Sequence, residues 1–203
     1  MEQDNQSKSV TIKELPQPVA EPACLGLIGL AVAALVLGVT DMGWADATNT
    51  SLMIPWTIFL GATAQLIAGI MDYKRNNIFG ATAFTTYSLL WYAVSLTLII
   101  RIFTDVTVDM DHYAYGLIGF LFFSFILTVG TLLANKVFFA ILVGIDVAII
   151  TLVLHIMAGT SAVPVGIALL AVSLFSYYGA AAILLNNMAG KIVLPMGGPM
   201  WKP

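Results

Sequence analysis

Charged residues are scarce in this chain. Only 9% of its 203 residues are Asp, Glu, Lys or Arg, whereas 60% are hydrophobic. Soluble domains carry about 25% charged residues, so a soluble globule of this length would lack the charge to cover its surface. The apolar content also excludes a disordered or collagen-like chain. Because 8 basic residues stand against 11 acidic ones, there is no basic face for binding a nucleic acid.

Cysteine and histidine are almost absent. Cys24 is the only cysteine, which excludes a secreted disulfide scaffold. The two histidines, His112 and His155, stand 43 positions apart, and no metal-ligand spacing such as CysxxCys or HisxxxHis occurs. The sequence also contains no GxSxG elbow, no phosphate-binding GxxxxGK(S/T) loop and no dinucleotide fingerprint. We therefore expect no metal, no cofactor and no enzymatic activity.

Long apolar stretches dominate what is present, and the mean hydropathy of the chain is +0.95. About 20 apolar helical residues are needed to cross a hydrocarbon core of about 30 Å. Six stretches qualify, and they are continuous rather than alternating, which indicates helices. They are Pro22–Thr40, Pro55–Asp72, Phe79–Ile102, Tyr113–Ala134, Val137–Ala158 and Val163–Asn187. The sequence predicts an all-α integral membrane protein, a six-transmembrane-helix bundle that is multi-pass in the cell membrane and in contact with lipid.

Lysine and arginine predict the orientation of this bundle, since they concentrate in cytoplasmic loops. With six spans, most of the basic residues fall on one side: Lys8, Lys13, Lys74, Arg75, Lys136, Lys191 and Lys202. Arg101, near the end of the third stretch, falls on the other side. Both termini are therefore predicted to be cytoplasmic.

The same pattern divides the chain into three parts. Residues 1–20 are polar and lack the hydrophobic core of a signal peptide, so we interpret them as a cytoplasmic N-terminal tail. Residues 21–190 form the transmembrane domain, and residues 191–203 form a short cytoplasmic C-terminal tail.

Two polar residues stand out inside the apolar stretches, where burial without a partner is costly. Gln65 either lines a pore as a hydrogen-bonding group or forms a hydrogen bond between helices where small residues allow close packing. Asp146, ten residues into the fifth stretch, must face protein or water or be protonated. It is a candidate proton carrier, and the alternative is a structural carboxyl bonded to another helix. His155 is nine positions further, about 13 Å along the axis, so the two side chains cannot pair.

Hydroxyl and aromatic residues form two strips on the third stretch. Thr82, Thr85 and Thr86 recur at positions i, i+3 and i+4 and share a face, while Tyr87 and Trp91 form a neighbouring pair. The threonines either bond to carbonyls of their own helix or line a path for a small polar solute. Both interpretations remain open on this pattern, but the recurrence of polar faces in several stretches favours transport.

Longer motifs resemble those of the acetate uptake transporter family, which is succinate–acetate permease-like. The motifs are EPACLGL at 21–27, GATAQ at 61–65 with AG at 68–69, and NIFGATAFTTYSLLW at 77–91. Tyr178, Asn186, Gly190 and LPMG at 194–197 are similar to the family's closing pattern. The resemblance implies a homo-hexamer of six-helix protomers, each with its own path for acetate and related small monocarboxylates, with succinate for some members. Transport in the family is proton-linked or channel-like.

The resemblance also implies which residues serve the path. The substrate-path residues are Glu21, Leu25, Gln65, Thr85, Thr86, Tyr87 and Trp91, and an apolar constriction corresponds to Leu30, Tyr87 and Ile145. The family usually has Phe, Tyr and Leu at these three constriction positions. Amide and hydroxyl hydrogens along such a path can replace the water that a carboxylate loses. The rival hypotheses are a passive channel for another small metabolite such as ammonium, and a non-transporting scaffold or sensor.

Two acidic residues depart from the family pattern. Glu21 replaces an asparagine in NPAPLGL, where Cys24 also replaces a proline. An ionised carboxylate at the mouth would repel an anion by about 1 kcal/mol at a few ångströms. Glu21 is either protonated, a helix cap, or the mark of an altered substrate preference. Asp146 directly follows the constriction residue Ile145 and, turned by about 100°, borders either the pore or a neighbouring helix.

Overall fold

The computed structural model describes residues 19–45 and 50–202. The predicted N-terminal tail, with Lys8 and Lys13, lies outside the described residues apart from its last two positions. Asp46 in the first loop and Pro203 also lie outside the described residues.

Six helices are long and apolar enough to cross a membrane, and the described part of the chain contains no strand. We label them α1 to α6 in chain order: Ala23–Asp41, Thr50–Lys74, Ile78–Phe103, Met110–Thr131, Lys136–Ala158 and Val163–Ala189. The prediction of an all-α, six-span protein is confirmed. The largest difference is at α2, which begins at Thr50 rather than at Pro55.

Polar or glycine residues cap several helices at the points where the connections between them begin or end. The side chain of Asn77 accepts a hydrogen bond from the Gly80 N–H at 3.2 Å, and that of Asn135 accepts one from the Phe138 N–H at 2.9 Å. These caps satisfy amides that the first helical turn leaves free. At the end of α6, Gly190 has φ of +62°, the left-handed conformation in which glycine is favoured.

Helix α2 is irregular along its first half. It consists of a 3₁₀ turn at Thr50–Leu52, an α-helical turn at Met53–Trp56, a π-helix at Thr57–Ala64 and an α-helix at Gln65–Lys74. The Thr63 hydroxyl donates to the Ile58 carbonyl, five residues earlier, at 2.8 Å. A π-turn widens the helix and rotates the side chains that follow, and such turns are frequent at functional sites. Gln65 is the first residue after it.

Small residues bring α1 very close to its neighbours α2 and α6. A Cβ atom added to Gly29 would lie 2.3 Å from the backbone oxygen of Leu60. A Cβ on Gly38 would lie 3.2 Å from the backbone oxygen of Gly166. Gly29 and Ala33 are the small residues whose spacing suits such packing, and Ala33 lies against Gly61 in the structure. Helix α1 is thus packed tightly between α2 and α6.

Buried hydroxyl groups tie the helices together within this apolar core. Ser173 on α6 donates to the Ala31 carbonyl of α1 at 2.8 Å. The hydroxyls of Thr57 on α2 and Ser95 on α3 lie 2.8 Å apart, and both side chains are buried. Hydrogen bonds of this kind satisfy polar groups that would otherwise be stranded in hydrocarbon.

The segment after α6 folds back over one end of the bundle. The Asn186 side chain accepts hydrogen bonds from the Val193 and Leu194 N–H groups at 2.7 and 3.0 Å. The Tyr178 hydroxyl donates to the Pro195 carbonyl at 2.7 Å. The closing pattern Tyr178, Asn186 and LPMG is therefore one hydrogen-bonded unit, which fixes the position of residues 193–195.

The close contact at Gly29 yields a prediction about stability. Gly29→Ala should lower the thermal unfolding midpoint of the detergent-solubilised protein, because the new methyl group meets a backbone oxygen that cannot rotate away. Overpacking of this kind costs about 1–3 kcal/mol. Gly116→Ala is the matched control, since a Cβ at that position meets no atom of another described helix within 4 Å. Equal midpoints for the two variants would contradict the packing of α1 on α2.

Candidate functional site

Three cavities follow one another through the bundle. The terminal-side cavity, about 280 Å³, opens beside Glu21 and Asn187, where α1 begins and α6 ends. The middle cavity is about 60 Å³, and the loop-side cavity, about 790 Å³, lies beside Asp41 and Arg101 at the opposite end. Consecutive cavities share lining residues, so together they trace a path within one chain from one end of the bundle to the other.

An ion-paired rim surrounds the mouth of the terminal-side cavity. The Arg75 guanidinium lies 2.7 Å from a Glu21 carboxylate oxygen and 3.4 Å from one of Asp72. The hydrogen bond to Glu21 raises the pKa of Arg75. The second Glu21 oxygen accepts a hydrogen bond from the Ala23 N–H at 3.2 Å. Glu21 therefore caps α1 and is partly offset by a cation, so it does not stand alone at the mouth.

Gln65 is a buried polar side chain in the wall of this cavity. It lines the terminal-side cavity and is only 1% exposed, because α2 carries it into the centre of the bundle directly after the π-helix. Among the described residues its Nε2 has no hydrogen-bond partner. A buried donor without a partner costs about 1–3 kcal/mol. It is therefore a strong hydrogen-bonding position for a solute in the cavity.

Three side chains separate the terminal-side cavity from the middle cavity. Leu30 on α1, Tyr87 on α3 and Ile145 on α5 line both. All three are buried and packed in the apolar core. Trp91, one turn beyond Tyr87, lines the middle cavity and packs against Gly61. The narrow point of the path is thus mostly apolar, with one phenol hydroxyl.

The Tyr87 hydroxyl belongs to a buried hydrogen-bonded chain. It lies 2.7 Å from the Ser124 hydroxyl on α4. Ser124 in turn donates a hydrogen bond to Oδ1 of Asp146, and Thr128 donates one to Oδ2 at 2.6 Å. Asp146 is 5% exposed and does not line any of the three cavities. The carboxylate thus faces a neighbouring helix, and it meets the path only through Ser124 and Tyr87.

Three of the expected path residues do not line these cavities. Leu25 is 42% exposed on the outer face of α1. Thr85 points toward α2, where a Cβ on Gly69 would lie 2.2 Å from its hydroxyl oxygen. Thr86 is partly buried away from the cavities. The helical turn of about 100° per residue rotates Thr86 and Thr85 by about 100° and 200° from Tyr87, which faces the path.

Four further lining residues were not among the path residues predicted from the sequence. Asp72, Asn77, Asn135 and Asn187 contribute polar groups to the terminal-side cavity. Asn77 and Asn135 were recognisable as helix caps, since each precedes an apolar helix. Ser124 and Thr128 are the hydrogen-bond partners of Asp146. A serine and a threonine in an apolar stretch are ordinary features of membrane helices, so the sequence did not single them out.

This arrangement of motifs, helices and cavities matches known proteins. The sequence pattern of the GPR1/FUN34/yaaH family matches residues 6–198. The chain belongs to this family. The match covers nearly the whole chain and includes all six helices.

Characterised members of the GPR1/FUN34/yaaH family are similar over most of their length. The succinate-acetate/proton symporter SatP of Escherichia coli K12 is 30% identical over 184 residues, 88% of this chain and 96% of that protein. Acetate permease A of Emericella nidulans is 28% identical over 202 residues, 91% of this chain and 68% of that protein. A solved structure of the bacterial acetate channel SatP superimposes with a TM-score of 0.81 at 28% identity, covering 89% of this chain and all of that one.

These relatives confirm the resemblance inferred from the motifs. The chain is a multi-pass membrane protein, and its named relatives are transporters or channels. The six spans derived from hydropathy alone are the spans of this family's fold.

The cavity wall can be tested by thiol labelling, since the chain has a single cysteine. In a Cys24→Ser background, Gln65→Cys should react with a small methanethiosulfonate reagent, because position 65 lines the terminal-side cavity. Thr85→Cys should react much more slowly, because position 85 faces α2. Asn187→Cys at the exposed rim provides the fully accessible reference. Faster labelling at position 85 than at position 65 would contradict the assigned orientation of α2 and α3.

Proposed function

We propose that this chain carries acetate and related small monocarboxylates, with succinate as a further candidate, across the cell membrane. Transport is proton-linked or channel-like and proceeds through the three cavities within one protomer. The observation that carries the proposal is the order of the cavities: a polar-rimmed cavity and a wide opposite cavity are joined by a small apolar middle cavity, and the constriction lies at its terminal side. The chemistry of the wall is that of binding and passage, and we assign the chain no enzymatic reaction.

The amide of Gln65 is the proposed contact for the carboxylate. Carboxylate oxygens only accept hydrogen bonds, and the Gln65 Nε2 donor has no partner among the described residues. A solute that supplies the missing acceptor gains a hydrogen bond and relieves the burial cost of the amide. Among the residues that the structure describes, no lysine or arginine lines the terminal-side or middle cavity, so the site favours weak binding and rapid release.

The side chains of Leu30, Tyr87 and Ile145 form the proposed constriction. An apolar narrow point sets an upper size for the solute and favours one that has lost water or gained a proton. Leu30 is shorter than the phenylalanine usual in the family, which widens this point on the α1 side. Trp91 forms the wall immediately beyond it.

Glu21 and Arg75 form the proposed mouth. Because Arg75 pairs with Glu21 and Asp72, it offsets part of the repulsion that these two carboxylates exert on an incoming anion. The pair is exposed by about a third, so water and salt screen it further. Basic residues concentrate at this side of the bundle, and we propose that it faces the cytoplasm.

We further propose a homo-hexamer, in which each protomer keeps its own path. Large apolar side chains project from the outside of the bundle, among them Phe122, Ile126 and Leu174. Such surfaces contact lipid or neighbouring copies of the chain.

The proposal predicts a loss of acetate uptake when the path is altered. In vesicles reconstituted with the full chain, Gln65→Ala should lower the initial rate of labelled acetate uptake by about 2- to 10-fold, the range expected for one hydrogen bond. Tyr87→Ala should change both the rate and the competition by larger carboxylates, because it widens the constriction. Ser88→Ala is the matched control: it removes a buried hydroxyl beside Tyr87 that does not line the cavities.

Competition by succinate, formate and ammonium separates the alternatives. Parental uptake in folded, inserted Gln65→Ala and Tyr87→Ala proteins would contradict this path. Competition by ammonium alone would favour a passive channel for another metabolite, and absence of any flux in the parent protein would favour a scaffold or sensor.

Asp146 is the proposed group that couples a proton to transport. Asp146→Asn should abolish uphill accumulation of acetate driven by a proton gradient while sparing downhill flux. Asparagine keeps the size and one accepting oxygen, and its NH2 group can donate to the Ser124 or Thr128 oxygen, but it cannot gain or lose the proton. The measurement is acetate accumulation with and without an imposed proton gradient. Unchanged accumulation in the variant would return Asp146 to a structural role, and a parent protein without uphill accumulation would be a channel.

A further inference from the structure

Asp146 lies off the path, yet an unbroken row of hydroxyl groups leads from it to the constriction. Tyr87 and Ser124 lie 2.7 Å apart between their oxygens, and Ser124 donates directly to Asp146. Tyr87 is 4% exposed and Ser124 is fully buried, so water does not intervene in these contacts. Tyr87 also lines both the terminal-side and the middle cavities. The row therefore begins at the solute path and ends at the carboxylate.

Among the described residues, no other group near Asp146 could exchange a proton with it. Among the described residues Asp146 makes no ion pair, and its hydrogen-bond partners are the hydroxyls of Ser124 and Thr128. The titratable group nearest in the network is the Tyr87 phenol on α3. On its own helix, Lys136 and His155 are about 15 and 13 Å away along the axis.

The helices packed against α5 add no charge at this level. Helix α4 carries its titratable groups at its first turns: Asp111, His112, Tyr113 and Tyr115. Helix α6 carries Tyr177 and Tyr178 near the terminal side. None of these groups makes an ion pair or a hydrogen bond with Asp146 in the described structure, so the contacts of the carboxyl are the hydroxyls of Ser124 and Thr128.

The direction of the hydrogen bonds depends on the charge of Asp146. An ionised carboxylate can only accept, so Ser124 must donate its single hydrogen to Asp146. The Ser124 oxygen then accepts from Tyr87, and the Tyr87 hydrogen points away from the path. In this state Tyr87 offers the solute an accepting oxygen, which suits a protonated acid.

We propose that Ser124 and Tyr87 form a proton wire between the solute path and Asp146. This inference rests on the proposed function and names the route by which the carboxyl gains its proton. A carboxylic acid at the constriction gives its proton to the Tyr87 oxygen, the Tyr87 hydrogen passes to Ser124, and the Ser124 hydrogen passes to Oδ1 of Asp146. Three O–H bonds break and three form, so the solute becomes a carboxylate and Asp146 becomes neutral.

The transfer also reverses the direction of every hydrogen bond in the row. Neutral Asp146 donates to Ser124, Ser124 donates to Tyr87, and the new Tyr87 hydrogen points to the path. Tyr87 then donates a hydrogen bond to the carboxylate that it has just formed. One residue at the constriction therefore accepts from the acid and donates to the anion, according to the state of Asp146.

Thr128 provides the matched control for this wire. It bonds to Oδ2 of Asp146, opposite the oxygen that Ser124 contacts, and its hydroxyl also lies 3.0 Å from the Ser124 carbonyl. It therefore stabilises the carboxylate without linking it to Tyr87. Thr128→Val keeps the shape and leaves the wire intact, whereas Ser124→Ala breaks it and retains both Asp146 and Tyr87.

The first arm of the test measures transport in vesicles that contain the full chain. Ser124→Ala should lose proton-driven accumulation of acetate and keep downhill flux. Ser124→Thr, which restores a hydroxyl, and Thr128→Val should both accumulate acetate. Protein-free vesicles correct for acetic acid that crosses the lipid. Accumulation by a folded Ser124→Ala protein at the parental level would overturn the wire.

The second arm does not depend on transport. Infrared difference spectra of the reconstituted protein, recorded between acidic and alkaline pH, should show a carboxyl band that Asp146→Asn removes and a tyrosine C–O band that Tyr87→Phe removes. In the parent and in Thr128→Val the two bands should change together, and in Ser124→Ala the tyrosine band should no longer follow the carboxyl band. Coupled bands in Ser124→Ala, or uncoupled bands in the parent, would overturn the wire. A parent protein that takes up no acetate but shows coupled bands would instead contradict the proposed function.

Discussion

The close approach of α1 to α2 and α6 is the constraint on which the rest of the structure depends. Gly29 allows α1 to meet the Leu60 carbonyl, and the neighbouring Leu30 is then held beside Tyr87 and Ile145. A larger residue at position 29 would separate the two helices and widen the gap at Leu30. The size of the constriction is therefore set by backbone packing outside the path as well as by the three side chains that line it.

A second constraint comes from burial of polar groups in an apolar bundle, where each one without a partner costs free energy. Most hydroxyls meet this requirement within the protein, as Ser173 does with the Ala31 carbonyl. The Gln65 amide does not, and it faces a cavity. The buried hydroxyls of Ser88 and Ser176 also lack a partner among the described residues, but they line none of the three cavities, so Gln65 differs from them in its position on a cavity wall.

The sequence predicted the six helices well and the facing of their side chains poorly. Continuous apolar runs determine where a helix crosses a membrane, because hydrocarbon excludes unpaired backbone. The rotation of a helix about its axis depends on its neighbours, and a π-helix before Gln65 changes it in a way that no apolar period reports. Hence Gln65 and Tyr87 were found on the cavity wall, while Thr85 faces Gly69. The partners of Asp146 are 22 and 18 positions away on another helix, which a single sequence does not reveal.

The two acidic departures from the family pattern differ in how the fold accommodates them. Glu21, at the surface, is matched by a charge, since Arg75 lies 2.7 Å away where water already screens both groups. Asp146, in the core, is matched among the described residues by neutral hydroxyls. An ion pair fixes both partners in their charged forms, whereas hydroxyls can donate to a carboxylate or accept from a carboxylic acid. The surroundings of Asp146 therefore tolerate either protonation state, which is the property that a proton-coupled carboxyl requires and that an ion-paired one lacks.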